Sequence, residues 1–312
     1  MIEAEYLALD LNQMGEQAKA AARELAKAST EQKNAALIAI ADTLEAHTDS
    51  ILAANRLDLA DGRANGLSDA MLDRLDLQKR LTGIAADVRS VATLPDPVGR
   101  EYDQRVLDNG LKIARRRTPI GVLGVIYEAR PNVTVDIATL ALKTANAVIL
   151  RGGKETLRTN LELVRVLQET LTTCGLPGDA VQYIASTDRS YIGQMLKMHK
   201  YIDMIIPRGG ASLHDYCREH STIPVIIGGI GVCHVYVDIS AKLDDTLNVI
   251  VNGRTQRPSV CNSLDTVLVN EALAADFLPR VVERLGSVGV TFRAEPQAYE
   301  LVGSLPGVEP AG

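Results

Sequence analysis

The alternation of short apolar runs with helical segments between Pro119 and residue 229 limits the possible folds more than any other feature of this chain. β-branched runs and amphipathic stretches follow one another in the order strand, helix, strand. The predicted strands are GVLGVIYE (121–128), AVILRGG (147–153), VQYIAS (181–186), DMIIPRGG (203–210) and IPVIIGG (223–229), and the predicted helices are 133–145, 161–173, 191–199 and a segment from Ser212. This order predicts an α/β fold with a parallel, doubly wound sheet covered by helices on both faces.

The residues before this region predict helices and then a hairpin. Residues 7–91 are rich in Ala, Leu, Glu and Lys with apolar residues at helical spacing, and Ser29 and Gln32 have the spacing of a capping box. Polar, partly alternating runs flank Asp108-Asn109-Gly110 within 100–117, which predicts a β-hairpin. Such strands cannot bury a core alone, so we expect an oligomerisation element lying against a second subunit; a solvated surface hairpin is the alternative.

A second α/β unit is predicted from Cys233 onward. It contains the runs CHVYVD (233–238), DTVLVN (265–270) and GVTFRA (289–294), with helices around 243–251 and 277–285. The tail 303–312 has no evident final strand or helix, so this unit looks unfinished. The predicted domains are therefore 1–99 with 118–232 for cofactor binding, 100–117 for the hairpin, and 233–312 as a C-terminally incomplete catalytic domain.

Charge and composition favour a small-molecule partner. The formal net charge is −6, which gives no sequence-independent attraction to nucleic acid or anionic lipid. The N-terminus has no basic segment followed by an apolar one, and no apolar stretch is long enough to cross a bilayer, so we expect a cytoplasmic protein. The four cysteines lack CxxC spacing and the five histidines lack ligand spacing, so no metal site or disulfide scaffold is expected.

Three predicted strands end in glycine-rich junctions, which are candidate cofactor-binding sites. Glycine there lets backbone amides and a helix N-terminus approach a phosphate, and ligands gather at the carboxyl ends of parallel strands. Tight turns also use glycine for steric reasons alone, and no GxGxxG pattern is present. The junctions are Arg151-Gly152-Gly153, Arg208-Gly209-Gly210 and Gly228-Gly229.

Cys261 is the cysteine whose sequence context best suits a nucleophile. It lies in the polar run TQRPSVCNSLDT (255–266), between a predicted helix and an apolar strand, where loops present reactive groups. Cys174, Cys217 and Cys233 adjoin predicted helices or strands and are expected to be buried, inert thiols. His214 and His220 flank Cys217 at three-residue spacing, which allows Cys–His chemistry, although solvated helix positions are the favoured explanation.

Five separated motifs give the chain a resemblance to the aldehyde dehydrogenase superfamily, and within it to the gamma-glutamyl phosphate reductases. The resemblance extends from about Leu11 to the last residue. The motifs are PIGVLGVIYEARPNVT, ILRGGKE, DMIIPRGGASL, GVCHVYVD and TQRPSVCNSLDT, in the order and spacing of the family. This resemblance implies that Cys261 is a thiolate nucleophile and that Asn132 supplies an oxyanion-hole amide. The implied reaction is reduction of L-glutamyl 5-phosphate through a thioester with NADPH/NADP as cofactor, in a chain that forms a homo-oligomer in its full-length form.

Departures from the wider superfamily refine this expectation. Ile226-Ile227-Gly228-Gly229 stands where hydrolytic members have Glu-Leu-Gly-Gly, so no carboxylate activates water there. Where relatives that use NAD have Lys-Pro-Ser-Glu, Arg151-Gly152-Gly153-Lys154 places a cation that should attract a 2′-phosphate. Family members also continue beyond the equivalent of Gly312, so we expect an incomplete active-site wall. A hydrolytic aldehyde dehydrogenase and a truncated, noncatalytic nucleotide-binding chain are the alternatives.

Overall fold

The chain divides into two compact units, Met1–Gly228 and Gly229–Gly312. The sequence predicted a boundary between residues 232 and 233, which is a few residues after the observed one. The structure, a computed structural model, describes residues 9–228, 231–258 and 260–312. Within these described ranges no helix is both long and apolar enough to cross a bilayer.

Five helices open the first unit, as the composition predicts. They are α1 (Leu11–Leu25), α2 (Thr30–Ala46), α3 (Thr48–Ala64), α4 (Asp69–Leu75) and α5 (Leu81–Thr93). The predicted capping box begins α2: the Ser29 hydroxyl accepts a hydrogen bond from the Gln32 amide at 3.2 Å, and the Gln32 side chain accepts one from the Ser29 amide at 2.9 Å. Two amide donors that the helix leaves without partners are thereby satisfied.

The predicted hairpin forms from β1 (Glu101–Val106) and β2 (Lys112–Arg116), which pair antiparallel. Gly110 in the turn has a φ of 84°, in the left-handed region that favours glycine. Every residue of β1 is exposed, and in β2 only Ile113 is partly covered. Contact of this hairpin with a second subunit stays a prediction.

A four-stranded parallel sheet forms the centre of the first unit. Its strands are β3 (Val122–Tyr127), β4 (Ala147–Arg151), β5 (Val181–Tyr183) and β6 (Met204–Arg208), in the order β5-β4-β3-β6. The helices that alternate with them are α6 (Pro131–Lys143), α7 (Leu157–Thr173), α8 (Ser190–Met195) and α9 (Ala211–His220), with short 3₁₀ turns at Lys154–Thr156 and Gly178–Ala180.

Helices cover both faces of this sheet. Alternate residues of β3 enter separate apolar clusters: Leu123 and Val125 pack with residues of α2, α5, α6 and α7, whereas Val122 and Ile126 pack with residues of α1, α8 and α9. All six residues of β3 are buried, and each fully buried Val, Leu or Ile contributes about 1.5–3 kcal/mol. The predicted doubly wound sheet is confirmed.

One predicted strand does not form. In the described part of IPVIIGG, only Val225 makes a bridge, to Ile205 of β6. Pro224 has no amide hydrogen to donate to a ladder, and Ile226 and Ile227 are exposed rather than covered by helices. The strand prediction for Ile223 to Gly228 was therefore wrong, while Gly229 lies outside the described residues.

The second unit contains a parallel strand pair flanked by helices. β7 (Cys233–Val237) pairs with β8 (Leu264–Val269), and α10 (Leu243–Thr255) and α11 (Glu271–Gly286) pack on them around Phe277 and Ile250. The chain continues through β9 (Phe292–Ala294), α12 (Pro296–Val302) and β10 (Val308–Pro310), and β10 pairs parallel with β9. β10 lies within 303–312, so the prediction of a tail without a final strand was wrong. α12 ends just before this tail, and Glu295 caps it by accepting from the amides of Gln297 and Ala298.

Candidate functional site

A cavity of about 720 Å³ opens where β3 and β4 end in the first unit. Parallel strands gather ligands at their carboxyl ends because loops and helix N-termini meet there. Four cations line it, namely Arg74, Arg151, Lys154 and Arg189. Apolar side chains of α8 and α9 line another part, including Ile192, Leu213 and Tyr216. The cavity therefore combines a cationic region with a flat apolar region.

Arg151 is the most buried of the four cations. It is 7 % exposed, and its guanidinium donates to the carbonyl oxygens of Gly152 at 2.7 Å and Thr187 at 3.3 Å. Its Nε is buried without a hydrogen-bond partner. Burial lowers the pKa of Arg151, and the nearby Arg189 charge lowers it further, whereas Glu155 and Asp188 oppose that effect. A buried donor without a partner costs about 1–3 kcal/mol, which an anionic ligand in the cavity would offset.

The glycines after β4 have steric roles of their own. A Cβ on Gly152 would lie 2.6 Å from the Asn160 side-chain nitrogen, and one on Gly153 would lie 2.9 Å from the backbone nitrogen of Ala129. Gly153 also lines the cavity, with Arg151 and Lys154. Close packing therefore explains Gly152, while Gly153 allows the two strand-end loops to approach each other.

The junction after β6 is arranged differently from the predicted phosphate cradle. The amide of Gly210, at the N-cap of α9, donates to the Glu128 carboxylate at 2.8 Å. Arg208 is exposed, and Arg208, Gly209 and Gly210 do not line the cavity. The Gly228 carbonyl lies 3.0 Å from Nδ1 of His214 and is likewise outside the cavity lining. The first of the predicted glycine junctions thus lies at the cavity, and the described residues of the other two do not line it.

Asn132 is the second residue of α6, directly after Pro131. Proline is favoured at the first helical position because its φ suits a helix and its missing amide hydrogen is not needed there. The Asn132 side chain is half-buried, and its Nδ2 donates to the Asp136 carboxylate one turn later at 3.0 Å. The amide is therefore held at the positive end of the helix dipole.

A buried chain of polar side chains fixes α6 against the sheet and α7. The Thr134 hydroxyl lies 2.6 Å from the Tyr127 hydroxyl and donates to the Asn160 side-chain oxygen at 2.7 Å. Asn160 in turn donates to the Tyr183 hydroxyl at 3.1 Å. Burial raises the pKa of Tyr127 well above its ordinary value, so that hydroxyl keeps its proton. This network anchors the helix that carries Asn132.

Cys261 lies in the second unit, in a turn between α10 and β8, and its side chain is exposed. The Cys233 thiol is 3.6 Å from the Cys261 carbonyl oxygen, so a second sulfur packs against the backbone of this turn. The exposure agrees with a thiol that a ligand can reach, whereas a structural cysteine is normally buried.

The other three cysteines differ in burial: Cys217 is buried, Cys174 is exposed, and Cys233, which was expected to be buried, is only half-buried. Cys217 is fully buried, and burial raises its pKa to about 11, so the Cys–His alternative at His214 and His220 is not supported. Cys174 is exposed at the C-cap of α7, and the expectation that it is buried was wrong, because the cap residue points away from the apolar stripe. No cluster of three or more His, Cys, Asp or Glu side chains that would suit a metal ion occurs in the described residues.

Arg189, Glu128 and Asp136 are site residues that the sequence reasoning missed. Arg189 follows Asp188 at the start of α8, where the chain has no glycine, so a search for glycine-rich strand ends passed over it. Glu128 directly follows β3, and its position at a strand end could have identified it as a site residue. Asp136 lies within a predicted helix, where an aspartate is common. Only its contact with Asn132 distinguishes it.

A parallel sheet whose strand ends open onto a cationic and apolar cavity, joined in one chain to an α/β unit with an exposed turn cysteine, is typical of dehydrogenases with the aldehyde dehydrogenase fold. The sequence profile of the aldehyde dehydrogenase family matches residues 4–299. The chain is 61% identical to the gamma-glutamyl phosphate reductase of Vibrio parahaemolyticus over 295 residues, covering 94% of this chain and 71% of that one. It is 60% identical to that of Pectobacterium carotovorum, covering 92% and 69%.

Solved structures agree with the sequence relatives. The gamma-glutamyl phosphate reductase of Thermotoga maritima superposes with a TM-score of 0.91 at 40% identity, covering 97% of this chain and 73% of that one. The Saccharomyces cerevisiae enzyme gives 0.65 at 31% identity, covering 94% and 74%. The chain belongs to the aldehyde dehydrogenase family and, within it, to the gamma-glutamyl phosphate reductases, which are oxidoreductases. The predicted fold and family are confirmed, and the family uses nicotinamide cofactors.

Proposed function

We propose that this chain reduces L-glutamyl 5-phosphate to L-glutamate 5-semialdehyde with NADPH and releases phosphate, the second step of proline biosynthesis. The exposure of Cys261 in a turn, within a motif of the gamma-glutamyl phosphate reductases, carries the proposal. The reductases of Vibrio parahaemolyticus and Pectobacterium carotovorum support the substrate class by their names.

Cys261 is the proposed nucleophile. Its thiolate attacks the carbonyl carbon of the acyl phosphate, the bond from that carbon to the phosphate oxygen breaks, and phosphate leaves with the electron pair. A thioester remains on Cys261, so one difficult step is divided into two easier ones. As charge develops on the carbonyl oxygen, the Asn132 side-chain amide and the Cys261 backbone amide stabilise it as donors. When the cofactor is bound, the nicotinamide ring would supply hydride for the thioester. The carbon–sulfur bond then breaks, which releases the aldehyde and returns the Cys261 thiolate.

Position 226 offers no carboxylate that could activate water against this thioester. Ile226 stands where hydrolytic relatives have a glutamate, and its side chain is apolar and 52 % exposed. Without a general base at this position, water is not activated. The thioester therefore persists until it is reduced, which suits a reductase of acyl phosphates.

The cavity at the end of β4 fits the adenosine end of NADPH. Ile192, Leu213 and Tyr216 offer apolar surface for the base, and Lys154 and Arg189 offer charge for a 2′-phosphate. The Arg151 guanidinium, which also lines the cavity, adds a positive charge to the same region. None of these three cations forms an ion pair within the described residues, so their charge is available to a ligand. Glu155 also lines the cavity and can accept from a ribose hydroxyl.

The reverse reaction tests the proposal. Wild-type chain, Cys261→Ala and the control Cys174→Ala, an exposed cysteine elsewhere, are assayed for phosphate-dependent oxidation of L-glutamate 5-semialdehyde with NADP. We expect Cys174→Ala to match wild type and Cys261→Ala to lose at least about 10³-fold in kcat, since no other group replaces a nucleophile. Activity that does not need phosphate would support a hydrolytic dehydrogenase. NADPH binding without turnover in the wild-type chain would support a noncatalytic nucleotide-binding protein.

A further inference from the structure

We infer that Asp136 is a positioning residue for the reaction: its carboxylate orients the Asn132 carboxamide so that an N–H, and not the oxygen, faces the reacting carbonyl. The inference rests on the proposed role of Asn132 as an oxyanion donor. It concerns a residue that no motif of the sequence singled out, since an aspartate on a helix surface is ordinary.

The geometry couples these two side chains directly. Asp136 lies four residues after Asn132 on α6, and its Oδ2 accepts from the Asn132 Nδ2 at 3.0 Å. Both side chains are half-buried, on the side of α6 that the apolar core leaves open, whereas Val133, Thr134 and Val135 are buried. At this spacing two side chains of a helix stand one above the other on the same face.

A carboxylate is suited to fix the orientation of an amide. A carboxamide is nearly symmetric in shape, so rotation by half a turn exchanges its oxygen and its NH₂ group at little steric cost. An ionised carboxylate only accepts hydrogen bonds, so the rotated amide would place oxygen against oxygen. Asp136 therefore holds the nitrogen of Asn132 toward itself. The second N–H of the same nitrogen is left for another acceptor, such as a developing oxyanion.

Charged groups around Asp136 limit the cost of placing an anion near an oxyanion. Arg208, at the end of β6, attracts the carboxylate, while Asp87 of α5 repels it. Burial raises the pKa of Asp136, and the hydrogen bond from Asn132 and the Arg208 charge act against this rise. The Arg208 guanidinium thus offsets part of the negative charge that would otherwise oppose the reaction.

The contacts that hold α6 against the rest of the first unit are separate from Asp136. The helix is anchored on its buried side by Thr134, which bonds to both Tyr127 and Asn160. Removal of the Asp136 carboxylate therefore frees the amide without displacing the helix. This separation makes the inference testable by substitution.

A double-mutant cycle tests the coupling. Asn132→Ala, Asp136→Ala and the double variant are compared in the phosphate-dependent reverse reaction, with Asp42→Ala, an exposed aspartate of α2 paired with Arg89, as the control. We expect Asn132→Ala to lower kcat by about 10²–10³-fold, as removal of an oxyanion donor does elsewhere. Asp136→Ala should lower kcat by roughly tenfold with an unchanged Kd for NADPH, because only the orientation of the donor is lost. In the Asn132→Ala background, Asp136→Ala should change kcat by less than about twofold.

The conservative variant Asp136→Asn separates positioning from charge. Its side-chain amide can present either its oxygen or its NH₂ group to Asn132, so we expect it to recover only part of the kcat lost in Asp136→Ala. It also keeps the test valid if thermal unfolding shows that Asp136→Ala does not fold. Equal losses from Asp136→Ala in both backgrounds, or full activity in a folded Asp136→Ala, would overturn the inference. Full activity in Asn132→Ala would instead overturn the proposed oxyanion role itself.

Discussion

Lys154→Glu should move the cofactor preference from NADPH toward NADH. Lys154 lines the cavity at the end of β4, beside the buried Arg151, and its side chain is exposed. In the wild-type chain the lysine is expected to meet the 2′-phosphate, whereas in the variant a carboxylate would repel the phosphate and accept from the ribose hydroxyls of NADH.

The exposure of the Lys154 side chain determines how much the Kd for NADPH should change. A hydrogen bond to a charged group contributes about 1.5–3 kcal/mol, and solvent screening of an exposed side chain favours the lower end. Since about 1.4 kcal/mol corresponds to a tenfold change in Kd, loss of the contact should weaken NADPH about tenfold. Arg151 and Arg189 stay in place, so binding should weaken without being abolished.

Fluorescence titration with NADPH and NADH at fixed ionic strength measures the effect. Lys154→Ala separates loss of the cation from addition of the carboxylate. Lys112→Glu, in the exposed hairpin, is the control for the same change of charge at a residue that does not line the cavity. NADPH affinity should fall in the order wild type, Lys154→Ala, Lys154→Glu, with Lys112→Glu close to wild type. Equal weakening of NADPH and NADH by Lys154→Glu would refute the assignment of the 2′-phosphate to this cation.

Three further predictions concern stability. Lys33→Met removes the partner of the Asp96 carboxylate, which lies 2.6 Å away and is 9 % exposed, and should lower the urea-derived free energy of unfolding by about 3–5 kcal/mol. The control Lys27→Met, at the exposed ion pair with Glu24, should lower it by less than about 1 kcal/mol. The hydrogen bond from Arg165 lowers the pKa of Glu162 from 4.5 to about 2, so its contribution is complete above pH 4.5 and disappears as the pH falls through about 2; Glu162→Gln should flatten the dependence of the melting temperature on pH in that window. A Cβ at Gly124 would lie 2.6 Å from Ile205, so Gly124→Ala should cost about 1–3 kcal/mol in the same urea titration, and an unchanged value would contradict the packing described for β3.

Most of the first unit follows from patterns in the sequence because its strands are buried on both faces. Such strands appear in the sequence as continuous apolar runs, for example at 122–127 and 147–150. The helices between them are amphipathic. The pattern fails at IPVIIGG, where Pro224 cannot donate to the ladder and the apolar residues after it are exposed. Apolar runs predict a strand only if a partner strand and a covering helix are present, and the sequence alone does not contain that information.

The candidate site was predictable only in part. Position after a strand led to Arg151, loop context and motif resemblance led to Cys261, and resemblance alone led to Lys154 and Asn132. Neither route reaches Arg189, which enters the cavity from a helix start without glycine, or Asp136, whose importance depends on a 3.0 Å contact. Residues that act through a neighbour become visible only when the distances between side chains are known.

Trapping the acyl-enzyme tests the central claim most directly. The wild-type chain is incubated with L-glutamate 5-semialdehyde and NADP without phosphate, digested, and examined by mass spectrometry. Because Ile226 provides no base to hydrolyse the thioester, a glutamyl group should accumulate on the peptide containing Cys261 and disappear when phosphate is added. A chain that turns over with phosphate yet carries no such adduct, or carries it on Cys174 or Cys233, would contradict the account.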